Sequence, residues 1–424
     1  MAKPRVLITG TGAVCAAGGS PAEILAAARA GRRAIAPIRQ WDTAGWPCTT
    51  AGEIPDFNPR ALVDDRKLHK LIRRTDLVGL YAADRAIETA GFTAWRDALD
   101  EAAGAVYSDR TGVYVGSGGG NYQNQYDFFP LMTEAKGDLA TFGRELANTV
   151  NPMWLLRTLP NNVLGHIGIR HRLKGPNACI TNHSVGGSLA VIEAAEALRN
   201  GEADRALAVG HDAPIEPQMV LFYCRLGLLA TGELLPFDAR RDGSVFGEGA
   251  GAMMLETEAS ARERNAAVLG EVLGGGYACE AQGLIAIRDD GDGLARAIGE
   301  ALDDAGLRAA DVGMIVAHGN GTRQSDASEA AAIRATFGAK PPPVTAFKWC
   351  FGHLIAAAGI VETTLALAAL AERSVPGIAT LEHLDPECAG ITLSASAQPP
   401  RGDVALVLCR GFAATDAALL VRAA

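Results

Sequence analysis

Residues 177–187 read NACITNHSVGG, between a Gly-Pro break and a long alanine-rich stretch of helical character. Ser184 stands at the entrance of that stretch, where a hydroxyl has two uses. It caps the helix by accepting from a first-turn amide, or it serves as a nucleophile on a sharp turn. The run matches the Gly-x-Ser-x-Gly elbow only loosely, because Asn182 replaces the first glycine. Cys179 lies five positions earlier, in the strand leading in, and reads as a small buried side chain.

Two histidines stand at comparable junctions. His318 falls in VAHGNGT, directly after an apolar strand, and His353 falls in FKWCFGHLIAAAG, with Lys348 five residues before it. Both sit beside glycines, which let backbone and substrate approach closely. A shared site of Ser184, His318, His353 and Lys348 suits acyl transfer. A helix N-terminus and loop amides supply an oxyanion hole, and two histidines stabilise an enolate or donate protons. Asp326 and Glu329 follow His318 within two helical turns, either orienting Lys348 or a histidine, or acting as ordinary first-turn acids. The remaining histidines carry little weight. His183 adjoins Ser184, but adjacency in sequence does not fix where a side chain points.

The elements that must position these groups repeat. AADRAIETAGF (82–92) and then DRTGVYVGSGGGN (109–121) read as a helix, a turn, a strand and a Gly-rich loop; ARAIGEALDDAGL (295–307) and ADVGMIVAHGNGT (310–322) give the same order again. Each half then offers a helix followed by a strand, 183–210 in the first and 352–377 with 403–411 in the second. Helices alternating with short Val/Leu/Ala strands predict an α/β fold, with a largely parallel sheet covered by helices. Two such units predict a pseudo-twofold duplication, an N-terminal half at 1–255 and a C-terminal half at 256–424. Such a twofold brings the helix ends at Ser184 and His353 together. Residues 121–172 match neither repeat and read as an inserted cap over a pocket or at a subunit contact.

Nearly half of the 424 residues are apolar, enough for extensive cores, and the net charge of −9 is interspersed. Without a basic block, nucleic acid is a poor partner. The eight cysteines show no CxxC pair, which argues against a zinc site and a disulfide framework and for a reducing cytoplasm. The N-terminal VLITG reads as a buried first strand, and no apolar run is long enough to span a membrane.

From RVLITGTGAV (5–14) to RGFAAT (410–415) the chain resembles the β-ketoacyl-acyl-carrier-protein synthases of the elongating type. The landmarks are PFDARRDGSVFGEGAG (236–251), AHGNGTRQSDASEA (317–330) and KWCFGHLIAAAG (348–359). The resemblance implies a thiolase-like fold of two pseudo-twofold halves in α-β-α-β-α layers, and a dimer with itself or with a homologous subunit. It also implies acyl-carrier-protein thioesters as substrates, with no metal or resident cofactor; the phosphopantetheine arrives with the carrier. By the same likeness His318 and His353 promote malonyl decarboxylation, Lys348 is the electrostatic lysine, and Glu329 is the acid supporting it. The amides of Ser184 and Phe412 form the oxyanion hole, and Asn320, Thr322 and Arg410 line the substrate site.

The family's nucleophile is a cysteine seventeen residues before a Gly-Asp/Glu-Ala-Asp turn, and counting back from Gly201 lands on Ser184. Asn320 replaces a threonine, the C-terminal loop reads GFAATD, and Arg410 precedes it, facing an anionic group in the channel or pairing with Asp416. Serine changes the chemistry. A thiol with pKa ~8.5 costs about 2 kcal/mol to ionise at pH 7. A hydroxyl about six units higher costs roughly 8 kcal/mol more than that thiol. Ser184 therefore needs a general base, for which His318 and His353 are the candidates. Three readings follow: an acyltransferase using Ser184, a malonyl-carrier decarboxylase with Ser184 as spectator, or a non-condensing, chain-length-type partner subunit.

Overall fold

The structure, a computed structural model, describes residues 3–118 and 126–424. The Gly-rich loop at 119–121 and the start of the expected cap, 121–125, lie outside the described residues. VLITG opens strand β1 (Val6–Cys15), buried along almost its whole length as a both-faces-covered strand should be. β2 (Ala36–Pro37) and β3 (Thr50–Ala51) form a separate small ladder. The first half continues with β4 (Thr111–Ser117), β5 (Asn177–Ile180), β6 (Arg205–Asp212) and β7 (Gly249–Thr257). The second half comprises β8 (Gly270–Cys279), β9 (Met314–Val316), β10 (Pro343–Thr345), β11 (Thr392–Leu393), β12 (Val404–Gly411) and β13 (Thr415–Ala423).

The main sheet runs β11-β10-β9-β12-β13-β8-β1-β7-β6-β4-β5. About the β1–β8 pair, where Val6 faces Val272, its two sides are mirror sequences of strands. Outward from β1 the pairing is antiparallel to β7 and β6, then parallel to β4 and β5. Outward from β8 it is antiparallel to β13 and β12, then parallel to β9 and β10. The echo in the sequence is thus a correspondence of topology. The expectation of a largely parallel sheet holds only for the outer strands. β12 and β13 are joined by a tight turn, which can link only antiparallel neighbours.

Helices Arg74–Thr89 and Asp292–Ala305 lie on the outside, the first against β1, β6 and β7, the second against β8 and β13. Between the two sheet halves lie Gly186–Arg199 and Ala358–Ala371, each touching strands of both halves. The result is the α-β-α-β-α layering. Ala358–Ala371 is buried nearly all round, and Glu362 is the charged side chain within it.

Candidate active site

Ser184 does not cap a helix. It lies in a 3-10 turn, His183–Val185, that precedes helix Gly186–Arg199. Its hydroxyl, wholly buried, meets two imidazoles, His183 Nδ1 at 2.9 Å and His353 Nε2 at 3.1 Å. His183 has φ 45°, a left-handed conformation that non-glycine residues hold only under local strain. The second half has the same device: a 3-10 turn Ile355–Ala357, with Ile355 at φ 45°, precedes helix Ala358–Ala371. Position for position, the counterpart of Ser184 is Ala356, and His353 reaches Ser184 from just ahead of that turn. The two helix ends meet as the repeat predicted. Gly187 makes this possible, since a Cβ there would stand 2.5 Å from the Ala356 carbonyl oxygen.

Cys179 is half-buried on β5, the terminal strand of the sheet, where its thiol donates to the Pro160 carbonyl at 3.4 Å. The sequence reading of a small buried side chain holds only in part, because β5 has a neighbour on one side only.

Backbone contacts fix His318 and His353. The His353 amide donates to the Val245 carbonyl at 2.7 Å, and Gly352, at φ 85°, turns the chain into it. The Ile355 amide donates to His353 Nδ1 and the Arg410 amide donates to His318 Nδ1, each at 3.3 Å. Both rings therefore carry their proton on Nε2. Their centroids are 5.1 Å apart, nearly perpendicular. Burial, and then the Lys348 charge, holds both well below the ordinary histidine range, so both are neutral donors.

Lys348 is wholly buried, and its ammonium donates to Glu362 Oε1 at 2.7 Å. Glu329 is not its partner. The Glu329 carboxylate instead accepts from the His318 and Gly319 amides at 2.6 and 2.9 Å, clamping the His318 loop. Burial pushes Glu329 and Glu362 up to about 7 against these contacts. Asp326 accepts from the Phe237 and Gly321 amides and touches neither Lys348 nor a histidine. The signal for Glu362 was legible: a lone carboxylate in an otherwise apolar helix must be paired.

Ser184, His183, His318 and His353 line a cavity of about 70 Å³ together with Asn320, Thr322, Arg410 and Phe412, with Leu284–Ile287 along its wall; Lys348, Glu362, Glu329 and Asp326 are not part of that lining. Asn320 Oδ1 accepts from the Thr322 amide and hydroxyl at 3.0 and 2.9 Å, which shapes the loop. Arg410 presents no unpaired charge: its guanidinium meets Asp416 at 2.7 Å and Glu280 at 3.4 Å. Among the described residues none of the expected cap lines the cavity. Its helices, Phe129–Ala135, Leu139–Thr149, Trp154–Thr158 and Asn162–His171, lie elsewhere.

Sequence reasoning missed His183. Its ring stacks on Phe412, centroids 4.4 Å apart, and its Nε2 is hydrogen-bonded to the Tyr223 hydroxyl. The Phe412 amide, expected in the oxyanion hole, donates to His183 Nδ1 at 3.3 Å. No motif signalled this, because the backbone conformation at His183 directs the ring. Burial pushes His183 down to about 4, so it too is neutral near pH 7. No cluster of metal-ligating side chains occurs among the described residues, and no helix of theirs is long and apolar enough to cross a membrane.

Residues 3–261 match the family model of the beta-ketoacyl synthase N-terminal domain, and residues 269–382 that of the C-terminal domain. The chain is 31% identical to 3-oxoacyl-[acyl-carrier-protein] synthase 2 of Synechocystis, covering 91% of this chain and 90% of the relative. It is 29% identical to the protein of that name from Coxiella burnetii, covering 99% of each. Among solved structures, the ishigamide ketosynthase/chain length factor superposes with a TM-score of 0.89 at 29% identity over the full length of both chains.

Proposed function

The chain belongs to the beta-ketoacyl synthase family, and on that premise we propose that it is an acyltransferase of ketosynthase type, holding acyl groups on Ser184. Its donors are acyl or malonyl thioesters of a carrier protein in fatty-acid or polyketide synthesis, as the names of its relatives suggest. The observation that carries this reading is the position of Ser184 Oγ. It is buried at a helix entrance, on a cavity wall, between two imidazoles.

The two Nε2–H groups of His318 and His353 suit a thioester oxygen that gains charge. When a malonyl group loses carbon dioxide, the electron pair left behind forms an enolate, and preorganised neutral donors stabilise it. Burial keeps those imidazoles neutral, and the charge of Lys348, paired with Glu362 outside the cavity lining, adds to it. An acyl-serine is an ester, a weaker acyl donor than a thioester. Transfer, priming or hydrolysis is therefore favoured over repeated carbon–carbon condensation.

One observation favours a second reading, a non-condensing partner in a heterodimer: the Phe412 amide donates to His183 rather than standing ready for an oxyanion. The match to a ketosynthase/chain length factor supports it too. Incubation with a panel of acyl-carrier thioesters, followed by intact mass, separates the readings. An acyl adduct on the parent that vanishes in Ser184→Ala is the expected result. No adduct with any donor refutes the acyl-serine reading; carbon dioxide release from malonyl-carrier then identifies a decarboxylase, and its absence a silent partner.

A further inference from the structure

A serine nucleophile needs a base, and neither family histidine is one. Each receives a backbone amide proton at Nδ1 and so bears its own proton on Nε2. His353 Nε2, 3.1 Å from Ser184 Oγ, is thus a donor to that oxygen. The Ser184 proton must point elsewhere, and His183 Nδ1 lies 2.9 Å away. The Phe412 amide also donates to this nitrogen, which fixes the tautomer: Nδ1 carries a lone pair, and Nε2–H donates to the Tyr223 hydroxyl. Among the described residues, His183 Nδ1 is the imidazole lone pair directed at Ser184.

From this geometry we infer that His183 is the general base for Ser184 and that Tyr223 positions its ring. The chain Tyr223–His183–Ser184 has the logic of a serine triad, with a nucleophile, a base and a third group holding the base's far nitrogen. It is built from adjacent residues, which the left-handed backbone at His183 permits. The inference rests on the reading that Ser184 is acylated.

In the step, the Ser184 Oγ–H proton passes to His183 Nδ1 while the oxygen forms a bond to the thioester carbonyl carbon. The carbonyl π pair moves onto its oxygen. Once protonated, Nδ1 no longer accepts from Phe412, and that amide is released to the new oxyanion. Collapse breaks the carbon–sulfur bond, and the proton on Nδ1 passes to the departing thiolate. Acyl-serine, free thiol and neutral His183 remain.

The experiment uses the full chain and an acyl thioester of N-acetylcysteamine, following the mass adduct over time in four proteins: the parent, Ser184→Cys, His183→Asn and the double variant. Asparagine places an acceptor oxygen near Nδ1 without its basicity. His183→Asn is expected to slow serine acylation by roughly 10²–10⁴-fold, the usual range for a general base. On the Ser184→Cys background the loss is expected to stay under about tenfold, since a thiol ionises on its own near pH 8.5. Equal losses on both backgrounds, or no loss on the parent, overturn the inference while leaving the acyl-serine reading intact. A parent that takes no adduct refutes that reading and the inference with it. If His183→Asn does not fold, Tyr223→Phe gives the same comparison, with a loss on serine of about tenfold and little on cysteine. Equal loss on both, or none on serine, overturns it again.

Discussion

Replacing Glu362 by leucine strands the Lys348 ammonium in the core. Both side chains are wholly buried, and the 2.7 Å contact with Glu362 neutralises that ammonium. Breaking such a pair from one side costs about 3–5 kcal/mol, because an uncompensated charge is left in a low-dielectric interior. For 424 residues, an unfolding entropy of about 2.1 cal/mol/K per residue amounts to about 0.9 kcal/mol/K, so Tm should fall by about 3–6 °C. Lys348→Met should cost less. Glu362 is already pushed up to about 7 by burial, and without the lysine it protonates and stays neutral. The double variant should recover most of the loss, since apolar groups replace a buried pair at little cost. A thermal scan of all four proteins measures the coupling. The reasoning is refuted if Glu362→Leu shifts Tm by less than about 1 °C, or if the double variant merely sums the two losses. A parallel cycle of Lys348→Met with Glu329→Gln should be nearly additive, because Glu329 binds the His318 and Gly319 amides instead.

Three further outcomes follow from the geometry. Arg410→Ala removes the cation from Asp416 and Glu280; burial already pushes Asp416 up to about 6, so it can protonate, and the chain should lose about 1–3 kcal/mol; an unchanged urea midpoint would sink this. Gly187→Ala sets a methyl 2.5 Å from the Ala356 carbonyl and should cost about 1–3 kcal/mol while parting Ser184 from His353, seen as slower acylation at a lowered midpoint. Acid should act on His183, whose ring faces Ser184, Tyr223 and Phe412 with His318 and His353 nearby. A histidine depressed to about 4 when folded gives stability that is full above its unfolded pKa near 6.5 and is lost as pH falls towards 4. Over that window the parent should lose about 3 kcal/mol more than His183→Asn, and parallel denaturation curves across pH would contradict it.

Much of this protein was legible in the sequence because it depends on local pattern. Apolar strands and alanine-rich helices recur in order, so the duplicated α/β fold could be read, and the family resemblance, through the spacing from Gly201, pointed to Ser184 as the residue to test as nucleophile. His318, His353 and Lys348 stood out as polar residues where apolar elements end; the two histidines line the cavity, and Lys348 is buried against Glu362. What the sequence left open was direction and pairing. Glu329 and Glu362 are both buried acids near the site, and only packing between helices assigns one to loop amides and the other to Lys348. Half of the sheet's pairings are antiparallel, four of them within the halves and one where β1 and β8 join the halves edge to edge, and that last contact is one no local pattern encodes. His183 is the sharpest case. Its identity and adjacency to Ser184 were visible, but its function depends on a left-handed φ and on Phe412 and Tyr223, brought from distant segments. A side chain's chemistry is written in its type; the proton it gives or takes is decided by the neighbours that folding supplies.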